Sequence, residues 1–267
     1  MKDRVNSDTP NDAVILERHD DVAVLRLNRP ATRNALAMEI KGHLATQIPA
    51  LMRDPGVRCI VITGTDEAFC AGGDISNMAD RSAPSVRARM YQSYAWSKTI
   101  LTGEKPVVAA VNGAAAGAGF SLALLCDIVI VSDKAFFRAA FPGLGAAPDL
   151  GLALTLPRSI GTARAKDILL TNRRIDATEA VTLGIAKRMV PAASLLDDAL
   201  QLSKELAAGP ATSFGLTKML LNSAFSPIDD FFATEAMAQA VAFGSKEFAE
   251  GVSAFQAKRK PDFKNNR

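Results

Sequence analysis

Four short apolar runs, separated by longer stretches with helical spacing, are the feature that most limits how this chain can fold. The runs are rich in β-branched residues and bounded by turn residues, which is typical of buried strands: VAVLRL (22–27), CIVITG (59–64), VVAAV (107–111) and DIVIVS (127–132). Apolar residues at helical intervals predict helices between them, at residues 34–54, 85–101 and 119–126. Because strands that alternate with helices usually pair in parallel, we predict an α/β fold with largely parallel sheets.

The second half of the chain has a different pattern. The strand signal fades after about residue 160, apart from a weak run at 186–190. From residue 194 to residue 258 one helical pattern follows another, with breaks at Gly209-Pro210 and Ser226-Pro227. We therefore predict a core over residues 1–193 and a helical C-terminal region over residues 194–267.

Composition excludes several classes of function. The 267 residues are 48% hydrophobic and 22% charged, as in soluble globular proteins, and a net charge of +3 is too small to indicate nucleic acid as the main partner. The longest apolar run, at 113–126, is too short and too rich in glycine to span a membrane. The polar stretch 1–14 is neither a secretory signal nor a transit peptide, so we expect a frayed leader.

The cysteines favour a reducing compartment. There are three, an odd number, with no CxxC spacing and no nearby histidine, so the sequence predicts neither a disulfide framework nor a zinc site. We expect a cytoplasmic protein with no bound metal and no membrane contact.

Two glycine-rich turns follow neighbouring predicted strands. FCAGGDI (69–75) and NGAAAGAGFSL (112–122) have little side-chain bulk, so their backbone N–H groups can point at a ligand oxygen. Together they could form an oxyanion hole, although for either turn alone close packing of the backbone is the better explanation. The segment at 117–122 is also half of a dinucleotide-binding motif, but Leu122 stands where that motif needs its third glycine.

Asp149 is the single acid in an otherwise apolar stretch, GLGAAPDLG (143–151). Burial of a lone carboxylate is costly unless it is paired, neutral or part of a site. Two interpretations follow from the residues: Asp149 is an acid or base in a functional site, or it caps the helix that follows. A Ser/His/Asp triad is not supported, because the two histidines, His19 and His43, both precede the glycine turns.

Five segments together resemble the crotonase (enoyl-CoA hydratase/isomerase) superfamily over residues 14–263, in the order found in that family: NRPATRNAL, AFCAGGDI, VNGAAAGAGFSLALLCDI, GLGAAPDLG and EGVSAFQAKRKPDF. The resemblance implies a spiral of ββα units followed by helices that build trimers, often paired into hexamers. It also implies an acyl-CoA thioester as substrate and no separate cofactor.

The resemblance assigns roles to individual positions. The backbone N–H groups of Gly73 and Ala118 would bind the thioester oxygen as it becomes an enolate. The remaining residues implied to contact coenzyme A are Arg33 near the phosphates, Ala71, Asp74 and Ile75 along the adenine, and Phe255 and Lys258 from a neighbouring subunit.

The departures from the family pattern decide the expected chemistry. Hydratases of the family use two glutamates to activate water, and at the matching positions of the substrate site this chain has Ser121 and Phe141. A phenyl ring cannot transfer a proton, and a serine hydroxyl without a partner is a poor base. Efficient hydration is therefore not expected.

Asp149 matches the acid of relatives that shift a double bond, or isomerise a ring epoxide, in a CoA thioester. We therefore predict an acyl-CoA isomerase with Asp149 as its single acid and base. The alternatives are a hydratase of low activity and a non-catalytic protein that binds acyl-CoA or RNA, although nucleic acid is not the expected partner. A dehalogenase of the family also needs a histidine, and none follows His43.

Overall fold

A six-stranded sheet and a smaller four-stranded sheet form the core of the protein. The structure, a computed structural model, describes residues 12–77 and 79–266, so most of the predicted N-terminal leader lies outside the described residues. The strands are β1 (Val14–His19), β2 (Val22–Leu27), β3 (Cys59–Gly64), β4 (Ala68–Cys70), β5 (Val107–Val111), β6 (Ala114–Ala116), β7 (Ile128–Ser132), β8 (Phe136–Arg138), β9 (Arg174–Asp176) and β10 (Arg188–Val190).

Helices cover both sheets. They are α1 (Met38–Arg53), α2 (Ala83–Thr102), α3 (Ala118–Leu125), α4 (Leu152–Ile160), α5 (Thr162–Thr171), α6 (Ala177–Leu183), α7 (Leu195–Ala207), α8 (Ala211–Ser223), α9 (Ile228–Phe243) and α10 (Lys246–Gln256). Within the described part of the chain, no helix is both long enough and apolar enough to cross a bilayer.

The four predicted strands are all present in the large sheet. Its order is β1-β2-β3-β5-β7-β10, and every pair is parallel except the hairpin β1-β2. These strands form because their β-branched side chains are buried against the covering helices. The prediction of a largely parallel α/β fold is confirmed.

The small sheet was not predicted. Its order is β4-β6-β8-β9, and each of β4, β6 and β8 comes directly after a long strand, which gives the repeated ββα arrangement. Each of the four strands has only three residues, and β6 is made of alanines. Segments so short and so poor in β-branched residues carry no strand pattern, and in the sequence they look like turns.

Helix α1 begins four residues later than predicted because Asn34 has another role. Arg33 and Asn34 both adopt left-handed backbone conformations, with φ of +51° and +57°. The buried Asn34 side chain accepts from Arg29 N (2.8 Å) and donates to Ala68 O (2.7 Å) and Thr65 O (3.1 Å). It therefore ties the segment before α1 to the strand that leads into the first glycine turn.

The helical C-terminal region is joined to the core by buried polar contacts. The breaks predicted at Gly209-Pro210 and Ser226-Pro227 separate α7, α8 and α9. Lys218 on α8 is buried, and its Nζ donates to Asp127 Oδ2 (2.7 Å) at the start of β7. Helix α7 packs on the large sheet, with Leu195 and Ala199 buried in its core. The domain boundary predicted after residue 193 stays a prediction, because α7, the first long helix after it, packs on the large sheet of the core.

The three cysteines are free and buried. Cys70 lies at the end of β4, and Cys59 and Cys126 lie in the interior of the fold.

Candidate active site

The two glycine turns lie against each other. β4 pairs with β6 in parallel, so the turns that follow them emerge side by side. A Cβ atom placed on Gly72 would lie 3.0 Å from the Ala116 oxygen and 3.7 Å from the Ala118 nitrogen. Gly72 has a φ of +108°, which favours glycine, and its carbonyl accepts from Leu36 N at 2.7 Å. The sequence prediction that the turns act together is thus compatible with their positions.

Two backbone N–H groups remain available at this junction. Among the described residues no backbone acceptor takes the N–H of Gly73 or that of Ala118. Ala118 is the first residue of α3, where the helix dipole places partial positive charge. An oxygen that gains negative charge would be stabilised at such a place.

Gly119 fixes the spacing between the turns, and sequence reasoning did not single it out. A Cβ atom there would lie only 2.1 Å from the Cys70 carbonyl oxygen, so no side chain fits without a shift of backbone. Helix α3 can approach β4 this closely because residue 119 is glycine. The sequence signal for this close approach is the pair Gly117 and Gly119, a spacing that also fits half of a dinucleotide-binding motif.

Asp149 lies in a strained turn between β8 and α4. Leu150 has a φ of +46° and is only 4% exposed, and Gly151 has a φ of +83°. A left-handed leucine costs about 1–3 kcal/mol, so the turn persists only because its surroundings hold it. Strain of this kind is common where a side chain must be aimed at a site.

The Asp149 carboxyl group lacks the partners that a structural acid normally has. Its Oδ1 atom is buried and has no hydrogen-bond partner. Gly151 is the N-cap of α4, and no side chain caps that helix, so the interpretation of Asp149 as a helix cap is wrong. Burial raises the pKa of Asp149, and the positive charge of Lys41 and the residue's own backbone N–H oppose that rise.

Lys41 is a site residue that the sequence did not reveal. It is half-buried on α1, and burial lowers its pKa, while Asp149 and Asp74 pull that pKa upward and Arg89 lowers it further. The charges of Lys41 and Asp149 therefore interact, although the two residues are far apart in sequence. In the sequence it looks like an ordinary polar position on an amphipathic helix.

Ser121 and Phe141, the two departures from the family pattern, are both buried. The Ser121 hydroxyl lies 3.0 Å from the Asp149 carbonyl oxygen and 3.3 Å from the Gly117 oxygen. Phe141 begins the short 3-10 turn Phe141–Leu144 that precedes the Asp149 turn. The Gly117 N–H donates to Arg138 O (3.0 Å), which joins the second glycine turn to the end of β8, the strand that precedes Phe141.

Four of the residues predicted to bind coenzyme A are brought together around the first glycine turn. The Ala71 N–H donates to the Arg33 carbonyl (3.0 Å), so these two residues are adjacent. Asp74 Oδ1 accepts from the Ser76 hydroxyl (2.6 Å) and backbone N–H (3.0 Å), which lowers the Asp74 pKa. Ile75 is 65% exposed beside it. Their contact with coenzyme A stays a prediction.

Phe255 and Lys258 lie elsewhere in the chain. Phe255 is 85% exposed on α10 and lines an apolar cavity of about 530 Å³ between α8, α9 and α10. Of the other predicted site residues that the structure describes, none lines this cavity. Lys258 follows the end of α10 with a φ of +52°. Their predicted role needs a second copy of the chain, which stays a prediction.

The chain is similar over nearly its whole length to known proteins. A sequence model of the enoyl-CoA hydratase/isomerase family matches residues 17–266. The 1,2-epoxyphenylacetyl-CoA isomerase of Escherichia coli is 38% identical over 247 residues, covering 91% of this chain and 94% of the relative. The crotonyl-CoA hydratase of Syntrophomonas wolfei is 34% identical over 252 residues, covering 94% and 97%. The crystal structure of an enoyl-CoA hydratase from Polaromonas has a TM-score of 0.87 at 34% identity, covering 93% and 98%. The predicted crotonase-like fold is confirmed.

Proposed function

The chain belongs to the enoyl-CoA hydratase/isomerase family, and from this premise we propose that it is an acyl-CoA isomerase with Asp149 as its single acid and base. The relatives include both an isomerase and a hydratase, so the choice between the two reactions depends on the site. The proposed substrate is a CoA thioester with a 3,4-double bond or a ring epoxide. The proposed reaction uses no metal and no cofactor besides the coenzyme A of the substrate, and the buried free cysteines suit the cytoplasm.

The observation that carries the proposal is the buried Oδ1 atom of Asp149, which has no hydrogen-bond partner. Burial of this oxygen without a donor raises the proton affinity of the carboxyl group, as a base that faces a weak carbon acid requires. At the two positions where hydratases have glutamates, the Ser121 hydroxyl donates to the Asp149 carbonyl oxygen and Phe141 is apolar. Asp149 is thus the acid that the site offers for proton transfer.

The proposed reaction is a proton shift through an enolate. The thioester oxygen binds to the N–H groups of Gly73 and Ala118. Asp149 removes a proton from the carbon beside the thioester carbonyl, and the electron pair left behind is delocalised onto the oxygen held by those two donors. The protonated Asp149 then returns the proton two carbons further along the acyl chain. The double bond has moved, no atom has been gained or lost, and Asp149 is again ionised.

The test compares two readouts, double-bond migration and α-proton exchange, in the wild-type protein and in Asp149→Asn. We expect migration of the double bond in 3-enoyl-CoA or aryl-CoA thioesters, with exchange of the α-proton for solvent deuterium. Asp149→Asn keeps the side-chain size but cannot accept a proton, so turnover should fall by at least about 10²-fold while CoA binding changes little.

A second candidate, hydration, is favoured by the activity named for the Syntrophomonas relative. Our proposal predicts slow or absent hydration of crotonyl-CoA. A wild-type hydration rate of about 10 per second or more would contradict it, since that is the range of a good enzyme. Binding of acyl-CoA without any proton exchange would instead support a non-catalytic binding protein.

A further inference from the structure

Ser121 connects the two parts of the proposed catalytic site. It lies in the first turn of α3 and is 0% exposed, so its hydroxyl cannot reach solvent. The Oγ atom lies 3.0 Å from the Asp149 carbonyl oxygen and 3.3 Å from the Gly117 oxygen. A hydroxyl has one proton to donate, and the shorter distance favours Asp149 as its acceptor. This one side chain therefore links the helix behind the second glycine turn to the residue that follows Pro148.

Burial of Leu150 and Leu152 in the core anchors the Asp149 turn, and the Ser121 hydroxyl adds the described hydrogen bond that joins the Asp149 backbone to α3. Leu150 is in a left-handed conformation, which the turn would relax if it were free. The other described bond to the Asp149 carbonyl comes from Leu152 N at 3.1 Å, which belongs to the same turn and cannot fix it to the core. Since Asp149 Oδ1 has no partner, the direction of the carboxyl group depends on its backbone.

We propose that Ser121 is a positioning residue: its hydroxyl holds the backbone of Asp149 on α3, so that the carboxyl group keeps one direction and its Oδ1 atom stays buried. Ser121 does not touch the substrate in this role, which differs from the sequence prediction that it lines the substrate site. The kinetic part of this inference rests on the function proposed above.

The test is Ser121→Ala, which removes the link and leaves the rest of the side-chain packing. We expect kcat to fall by up to about 100-fold with KM little changed, because a displaced base affects the chemical step more than binding. We also expect the pKa of Asp149 to fall toward its ordinary value, since a relaxed turn lets water reach the carboxyl group. The titratable neighbours of Asp149 are Lys41 on α1 and Cys70 on β4, and both are unchanged in the variant.

Ser132→Ala is the matched control. Ser132 is also 0% exposed, and its hydroxyl donates to a backbone oxygen, that of Asn112, at 2.8 Å, and accepts from Lys134 N at 3.2 Å. Loss of these bonds should lower stability at least as much as Ser121→Ala does, but it should leave kcat and the Asp149 titration unchanged. Equal effects of the two variants on kcat, or a wild-type kcat in Ser121→Ala, would overturn the inference.

The Asp149 titration separates this inference from the proposed function. It is measured by NMR on protein with ¹³C-labelled aspartate, with Asp149→Asn to assign the signal, and it needs no substrate. If the wild-type protein isomerises no thioester, the proposed function fails, yet the titration of Ser121→Ala still decides whether Ser121 positions Asp149. If the wild-type protein is active and Ser121→Ala titrates and reacts like it, only the inference fails.

Discussion

At the scale of single residues, burial of Asp149 raises the proton affinity of its carboxyl group and lowers the stability of the fold when that group is ionised. Burial raises its pKa in the folded state above the unfolded value, so the ionised form destabilises the fold. This cost is absent at acid pH, where Asp149 is protonated in both states. It grows as pH rises from the ordinary pKa through the raised one, and it is complete above that. Asp149→Asn should therefore melt higher than the wild type at pH 7, with about 2–4 °C for each kcal/mol recovered, and the difference should vanish near pH 3. Thermal unfolding followed by circular dichroism over this pH range measures it. A melting difference that does not depend on pH would contradict a buried, ionised Asp149.

Lys41 opposes the effect of burial on Asp149 and so extends the ionised form of Asp149 to lower pH. Its positive charge lowers the pKa of Asp149 against the effect of burial. Lys41→Met should therefore raise that pKa, and the acid limb of the kcat/KM profile should move to higher pH. Lys41→Arg keeps the charge and should leave the acid limb near its wild-type position. A limb that moves in neither variant, or moves to lower pH in Lys41→Met, would remove Lys41 from the site.

At the scale of elements, α3 can lie close to β4 because Gly119 has no Cβ atom. Gly119→Ala places that atom 2.1 Å from the Cys70 oxygen and must push the start of α3 away. We expect a loss of about 1–3 kcal/mol of unfolding free energy, together with a fall in turnover, because the Ala118 N–H moves with the helix. Gly42→Ala is the matched control, since Gly42 lies inside α1 with nothing within 4 Å of the added atom. It should stabilise the protein by about 0.4–1 kcal/mol and leave turnover unchanged. Denaturant unfolding and the isomerase assay distinguish the two.

The elements also show which parts of the structure were predictable from sequence. Long strands such as β3 have β-branched runs, and the turns after them have glycines, so the framework and the two glycine turns were found. The short strand β6 and the late start of α1 after Asn34 depend on strand pairing and on hydrogen bonds to distant residues, which no local pattern contains. Lys41 was missed for the same reason, because Asp149, whose charge it acts on, lies far from it in the sequence.

At the scale of the whole molecule, the C-terminal helices expose more apolar surface than a monomer normally carries. The large side chains there that are more than half exposed are Leu221, Phe225, Ile228, Phe232, Met237, Val241, Phe243 and Phe255. Extended apolar patches usually mark interfaces between proteins. We predict a trimer or hexamer in solution, and a charge within this surface, Phe232→Glu, should shift the mass measured by light scattering toward the monomer. A wild-type protein that is monomeric and fully active would contradict the prediction, including the role of Phe255 and Lys258 at a neighbouring site.

The burial of the cysteines decides how this protein behaves toward thiol reagents. Burial raises the pKa of Cys59 and of Cys70 to about 12 and that of Cys126 further, so none forms the reactive thiolate at neutral pH. An aromatic disulfide chromogen should therefore give no colour with the native protein. Free coenzyme A carries an accessible thiol, so any colour in an assay mixture measures stray hydrolysis of the thioester. In denaturant the same reagent should react with three thiols per chain, so the amount of colour measures the fraction of unfolded molecules.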